Sequence, residues 1–248
     1  MFRSILSAVA ILACSSALAL ADPKDDIQSA AQKLAGSDSY GWTSTVTGGR
    51  GPSTSEGKTQ SGLTSVSVTM RGTEYDIFIK GDKAAIKTAD GWKSAAEILA
   101  DADNGGGFSP EMFVARMTQS YKTPAVQASE MVDKLQNVQK GDDAYTADLS
   151  EDAAKTFLTF GRRPNANADA NAGPQVSNAK GSIKFWIKDG ALIKDELHVT
   201  GTVSFNGNDR DVDRTTTIEF KDVGSTTIDV PAEAQAKLNA PASQPAAQ

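Results

Sequence analysis

The chain has 248 residues, with 25 Lys and Arg against 31 Asp and Glu, and a formal net charge of −6. An acidic chain without a Lys/Arg run excludes nucleic acid and an anionic membrane surface as its main partner, because both demand concentrated positive charge. The single cysteine, Cys14, leaves any domain that follows it without a disulfide or a thiolate metal site.

Residues 1–21 read as a signal peptide. Arg3 supplies the positive start, Ile5 to Leu12 an apolar core, and Ala19-Leu20-Ala21 the small-x-small pattern for cleavage after Ala21. Ile11-Leu12-Ala13-Cys14 also resembles a lipobox, in which Cys14 would be lipidated and anchor the protein to a membrane. The apolar stretch runs on past Cys14 to Ala21, which favours ordinary cleavage. The protein is therefore expected to be exported, either periplasmic or secreted, with membrane anchoring through Cys14 as the alternative. No later segment approaches the ~20 apolar residues of a spanning helix.

Asp22-Pro23 opens a helix on which Ile27, Ala30, Ala31 and Leu34 recur at helical spacing, and Gly36 ends it. The period then changes to two. Val66, Val68 and Met70 form one strand face, Tyr75, Ile77 and Ile79 the next, with Arg71-Gly72 as the turn. A short strand follows around Ala85 to Lys87, and Asp90-Gly91 turns the chain before Trp92. Ser94 and Glu97 form a capping box for a first short helix, and Gly105-Gly106-Gly107 breaks the chain as a candidate hinge. Ser109-Pro110 starts a helix carrying Met112, Phe113, Met117 and Tyr121. Thr123-Pro124 starts another with Ala128, Met131, Val132 and Leu135 at i, i+3, i+4 and i+7. After a β segment at 144–149, Ser150 caps a helix presenting Phe157, Leu158 and Phe160.

Residues 162–179 are a polar Asn/Ala/Pro/Gly stretch read as a flexible loop. Strands resume with Ile183, Phe185 and Ile187, turn at Asp189-Gly190, continue through Leu197, Val199, Val203 and Phe205, and turn again at Asn206-Gly207 before Val212, Ile218 and Phe220. Trp186 falls on the opposite parity and belongs to the outer face. Residues 239–248 form a disordered tail. The pattern implies one domain over 22–238 of α+β class: a large curved antiparallel β-sheet, or half-barrel, with short helices covering its concave face.

That layout resembles the LolA/LolB/LppX-like half-barrel superfamily, which also includes RseB-type sensor domains. The likeness spans most of residues 24–238. It is carried by the meander from Gly181-Ser-Ile-Lys-Phe-Trp186-Ile-Lys-Asp-Gly190 through Thr215-Thr-Thr-Ile-Glu-Phe220, and by the closing Thr227-Ile-Asp-Val-Pro231. The resemblance implies an apolar cavity between sheet and helices that holds a lipid, an acyl chain or the lipid of a lipoprotein. It supplies no binding residue by motif.

The residues themselves offer little catalytic chemistry. His198, the one histidine, shares its strand parity with Glu196, Thr200 and Thr202 and is placed on the solvent side. Asp209, Asp211 and Asp213 have calcium-loop spacing, but Arg214 stands where glycine is needed and Phe220 where a bidentate Glu belongs. The glycine-rich segments lack the Lys-Ser/Thr of a phosphate loop. No catalytic residue, metal or cofactor is expected, and the chain is read as a non-enzyme. The candidate cavity lining is Met112, Phe113, Met117, Tyr121, Met131, Phe157 and Phe160, in which three of the five methionines offer adaptable thioethers to an apolar partner. Two readings stay open. One is an exported carrier of a lipid or lipoprotein acyl chains. The other is an envelope sensor or scaffold whose helices fill the cavity and whose surface binds another protein.

Overall fold

In a computed structural model the chain is described over residues 22–49, 52–70, 72–102, 109–159, 174–205 and 207–240. Residues 1–21, read above as a signal peptide and including Cys14 and Ala21, the triple glycine, Phe160 and residues 241–248 lie outside this range.

Eleven antiparallel strands form one open sheet in the order β6-β5-β4-β3-β2-β1-β11-β10-β9-β8-β7. It consists of two meanders. The first runs through β1 (Ser39–Gly48), β2 (Ser53–Gln60), β3 (Leu63–Met70), β4 (Thr73–Lys80), β5 (Lys83–Thr88) and β6 (Gly91–Ser94). The second runs through β7 (Leu135–Lys140), β8 (Tyr145–Leu149), β9 (Gln175–Lys188), β10 (Ala191–Phe205) and β11 (Asn208–Lys221). Pairing of β1 with β11, with Trp42 opposite Phe220, joins the two halves. The longest strands, β9 to β11, turn at Asp189-Gly190, where both residues have positive φ (52° and 70°) as a two-residue primed turn requires.

Three helices connect the two meanders: α2 (Ala95–Asp101), α3 (Pro110–Thr118) and α4 (Pro124–Met131). Because β6 and β7 are opposite edges of the sheet, this connection crosses the concave mouth from one rim to the other. Side-chain caps start the first two of these helices. Ser94 accepts from the Glu97 amide while the Glu97 carboxylate accepts from the Ser94 amide, and Ser109 accepts from the Met112 amide ahead of Pro110. The third of these helices stops at Met131. A 3-10 turn over Val132–Lys134 follows, and Leu135 enters β7 instead of a last helical turn.

α1 (Pro23–Ala35) lies across β10 and β9 and against α4, burying Ile27, Ala30, Ala31 and Leu34. α5 (Glu151–Leu158), capped by Ser150, covers the far end of β9 and β10. The concave core is continuous from Ile86 and Ile77 at one side, through Trp42 and Phe220, to Phe185 and Ile183 at the other.

Besides Leu135, two further features differ from the sequence reading. β9 starts at Gln175, inside the 162–179 stretch expected to be loop, because Gln175, Val176 and Ser177 pair with Ser204, Val203 and Thr202 of β10. A sixth helix, α6 (Ala232–Asn239), packs on the convex face. Its Ala234 and Leu238 cover Phe78 and Ala85 with help from Trp92, because Phe78 projects from the outer side of β4 and needs its own apolar cover.

Candidate functional site

The concave residues of β3 and β4 are dictated by strand parity: Val66, Val68, Ile77 and Ile79 all point to the helices. Facing them, α3 presents Val114, Met117 and Thr118, and Tyr121 follows at the start of the next connection. Between these walls lies an apolar crevice of about 40 Å3. Met117 stands at its edge and is 42% exposed, unusual for a large apolar side chain on a core-facing helix. The Thr118 hydroxyl is engaged by the Ala115 carbonyl at 2.8 Å, so it offers no donor to the crevice.

Near its start α3 is tethered to the sheet where the Tyr75 hydroxyl donates to Glu111 Oε1 at 3.1 Å. Burial, then the neighbouring Glu111, raises the Tyr75 phenol above its ordinary value. The helix otherwise packs on α2 and β5.

The candidate lining residues divide into groups. Met117 and Tyr121 line the crevice. Met112 and Met131 are buried in the core, on α3 and α4. Phe113 is half-buried on α3. Phe157 is half-buried on α5, over the other half of the sheet. The sheet wall of Val66, Val68, Ile77 and Ile79 is visible in the sequence as strand faces, whereas Val114 and Thr118 carry no signal that sets them apart from other helix residues.

Several buried polar groups share this concave side. Tyr40 Oη, Trp42 Nε1, Tyr121 Oη and Arg214 Nε are buried without a hydrogen-bond partner among the described residues. Thr59, Thr123 and the Ala125 backbone surround Tyr40 Oη without closing a bond to it. Burial raises the Tyr121 phenol, and the nearby Tyr40 raises it further. Arg214, on β11, donates from Nη2 to the Phe157 carbonyl at 2.6 Å, and its burial lowers the guanidinium pKa. Asp195, on β10, is 5% exposed, and burial alone pushes its carboxyl up to about 7.

His198, Asp211 and Asp213 lie on the convex side, opposite in strand parity to Leu197, Val199 and Val212. His198 Nε2 is 2.9 Å from Asp213 Oδ1, and Asp211 accepts from Thr202 Oγ1 at 2.9 Å. Trp186 lies under the ammonium of Lys194, 4.7 Å from the ring centre, on the outer face. Among the described residues no group of three or more His, Cys, Asp or Glu side chains could hold a metal ion. No helix there is long and apolar enough to cross a membrane.

The geometry defines a class: an open antiparallel half-barrel with helices laid across its concave face. Its fold is similar to that of the lipoprotein LppX from Mycobacterium tuberculosis, at 9% identity and a TM-score of 0.47 over 83% of this chain and 97% of that one. LprF from Mycobacterium bovis is similar at 11% identity and a TM-score of 0.42, over 86% and 97% of the two chains. A DUF1329 family protein from Desulfovibrio piger aligns at 11% identity and a TM-score of 0.26, over 80% and 90%. No family model and no curated protein matches the sequence. At such identities and TM-scores, function has to be read from the chain's own residues.

Proposed function

We propose that this chain is an exported, non-enzymatic binding protein that holds the acyl chain of a lipid or lipoprotein between α3 and the concave face of the sheet. The observation that carries this reading is the crevice walled by Val66, Val68, Ile77 and Ile79 on one side and Val114 and Met117 on the other. Its volume of about 40 Å3 is far below the ~300–1,000 Å3 of ligand pockets, so an acyl chain enters only as α3 lifts from the sheet. The attachment of α3 suits that movement: among the described residues it is tied to β4 by the Tyr75–Glu111 hydrogen bond and packs on α2 and β5. Affinity then comes from burying methylenes against aliphatic walls, about 0.8 kcal/mol for each fully buried CH2, less what lifting α3 costs.

Native mass spectrometry of the protein from its own exported fraction, prepared without detergent, tests the reading. Adducts that leave on gentle activation and are identified as lipid support it. A bare chain, unchanged after incubation with envelope lipids, overturns it. That result favours the protein-binding scaffold, to which the near-filled interior and the core positions of Met112 and Met131 correspond.

A further inference from the structure

The crevice is apolar except at one corner. Its walls are aliphatic or methionine, and the Thr118 hydroxyl is engaged by a backbone carbonyl. Tyr121 is the exception: it lines the crevice, and its hydroxyl is buried without a partner. Tyr40, 1% exposed, brings a second unpartnered hydroxyl close to it. Burying a hydroxyl without a partner costs about 1–3 kcal/mol, so such groups in folded proteins are normally satisfied. A water molecule needs two to four polar partners and would find at most the two phenols here, since the aliphatic walls supply none.

What Tyr121 Oη lacks is an acceptor: Thr59, Thr123 and the Ala125 backbone lie around Tyr40 Oη, and no such group is near Tyr121 Oη among the described residues. Both phenols stay protonated at neutral pH, because burial raises their pKa, and a protonated phenol can donate. Among the described residues, the crevice lining contains no Lys, Arg or His that would compensate an incoming negative charge. A carboxylate there would be desolvated without a counter-ion, whereas a neutral carbonyl can accept from Tyr121 Oη at no such cost.

We infer that Tyr121, with Tyr40 behind it, recognises the carbonyl oxygen of a neutral acyl ester, so that the crevice selects esterified acyl chains over free fatty acids and bare hydrocarbon. This rests on the acyl-chain reading above and specifies its ligand class. No covalent step is involved. The ester carbonyl accepts a hydrogen bond from Tyr121 Oη while its chain lies along Val66, Val68 and Ile77.

The test is displacement of a bound pyrene-labelled alkane by methyl oleate, oleate and octadecane at neutral pH. It uses the delipidated full chain and its Tyr121→Phe and Tyr40→Phe variants. Wild type should bind methyl oleate about tenfold more tightly than octadecane, the worth of one buried hydrogen bond. Tyr121→Phe should remove most of that preference, with the loss falling on methyl oleate. The same variant without ligand should melt at the wild-type temperature or above it, because it loses an unpartnered hydroxyl and keeps the ring. A preference for methyl oleate that survives in both variants overturns the inference, as does oleate binding more tightly than methyl oleate. If the pyrene probe itself never binds, the acyl-chain reading fails instead, and the two failures are distinguishable.

Discussion

The indole of Trp42 lies across the backbone of Gly57, its cross-strand partner on β2, in the space where any side chain on Gly57 would project. A glycine inside a strand weakens it unless something approaches closely, and here the approaching group is a ring that is itself 3% exposed. Gly57→Ala would place a methyl inside the Trp42 ring. The expected loss is about 1–3 kcal/mol in urea denaturation, as for overpacking a core. Adding Trp42→Phe should return part of that loss, since the smaller ring leaves room for the new methyl. Strict additivity of the two changes would show that the contact does not govern the effect.

Asp195 makes stability depend on pH. Its carboxyl titrates near 7 in the folded chain against 3.8 when unperturbed. Between those values the unfolded chain releases the proton and the folded chain retains it, so stability is full below about pH 4 and is lost as pH rises through about 7. The span corresponds to roughly 4 kcal/mol at 1.36 kcal/mol per unit. Asp195→Asn should flatten urea-denaturation stability across that window and make the protein more stable than wild type at pH 8. A wild-type profile already flat between pH 4 and 8 would mean that Asp195 gains a charge partner.

Arg214 places a cation at the last turn of α5, where the unpaired carbonyl of Phe157 and the helix dipole both favour it. Replacement by Met keeps the stem and removes the donor. Hydrogen exchange should then show α5 opening more readily, by about 1–3 kcal/mol, while the amides of β10 stay protected. Equal loosening of α5 and β10 would argue against a local latch.

The Tyr75 hydroxyl bond to Glu111 ties β4 to the start of α3. Tyr75→Phe should cost about 1 kcal/mol or less in stability and speed uptake of a fluorescent acyl lipid from vesicles several-fold. Unchanged uptake with lowered stability would mean that α3 does not need to lift for loading.

Legibility in the sequence follows how local the determining physics is. The helix starts at Pro23, Ser94, Ser109 and Ser150 are readable because each cap is completed within three residues. β3, β4, β9 and β10 are readable from alternation. β1 and β2 are not, because the stretches Ser39–Gly48 and Ser53–Gln60 are largely Ser, Thr and Gly and become strands through pairing with each other and with β11. Leu135 continues the helical period of α4, yet the backbone leaves the helix at Val132 and turns the residue inward from β7. The methionines of α3 are visible as an apolar stripe. Which of them meets the crevice depends on how the chain crosses from β6 to β7, and that is set far from Met117.

That crossing also limits how the concave space can open. Ser94 at one end and Leu135 at the other are both paired into the sheet, on opposite lips. A cover anchored at both lips behaves as a strap, not a door: it can bow outward but cannot swing clear. On the acyl-chain reading proposed above, cargo would slide in lengthwise under such a strap, which would admit a slender chain and turn away anything unable to enter end first.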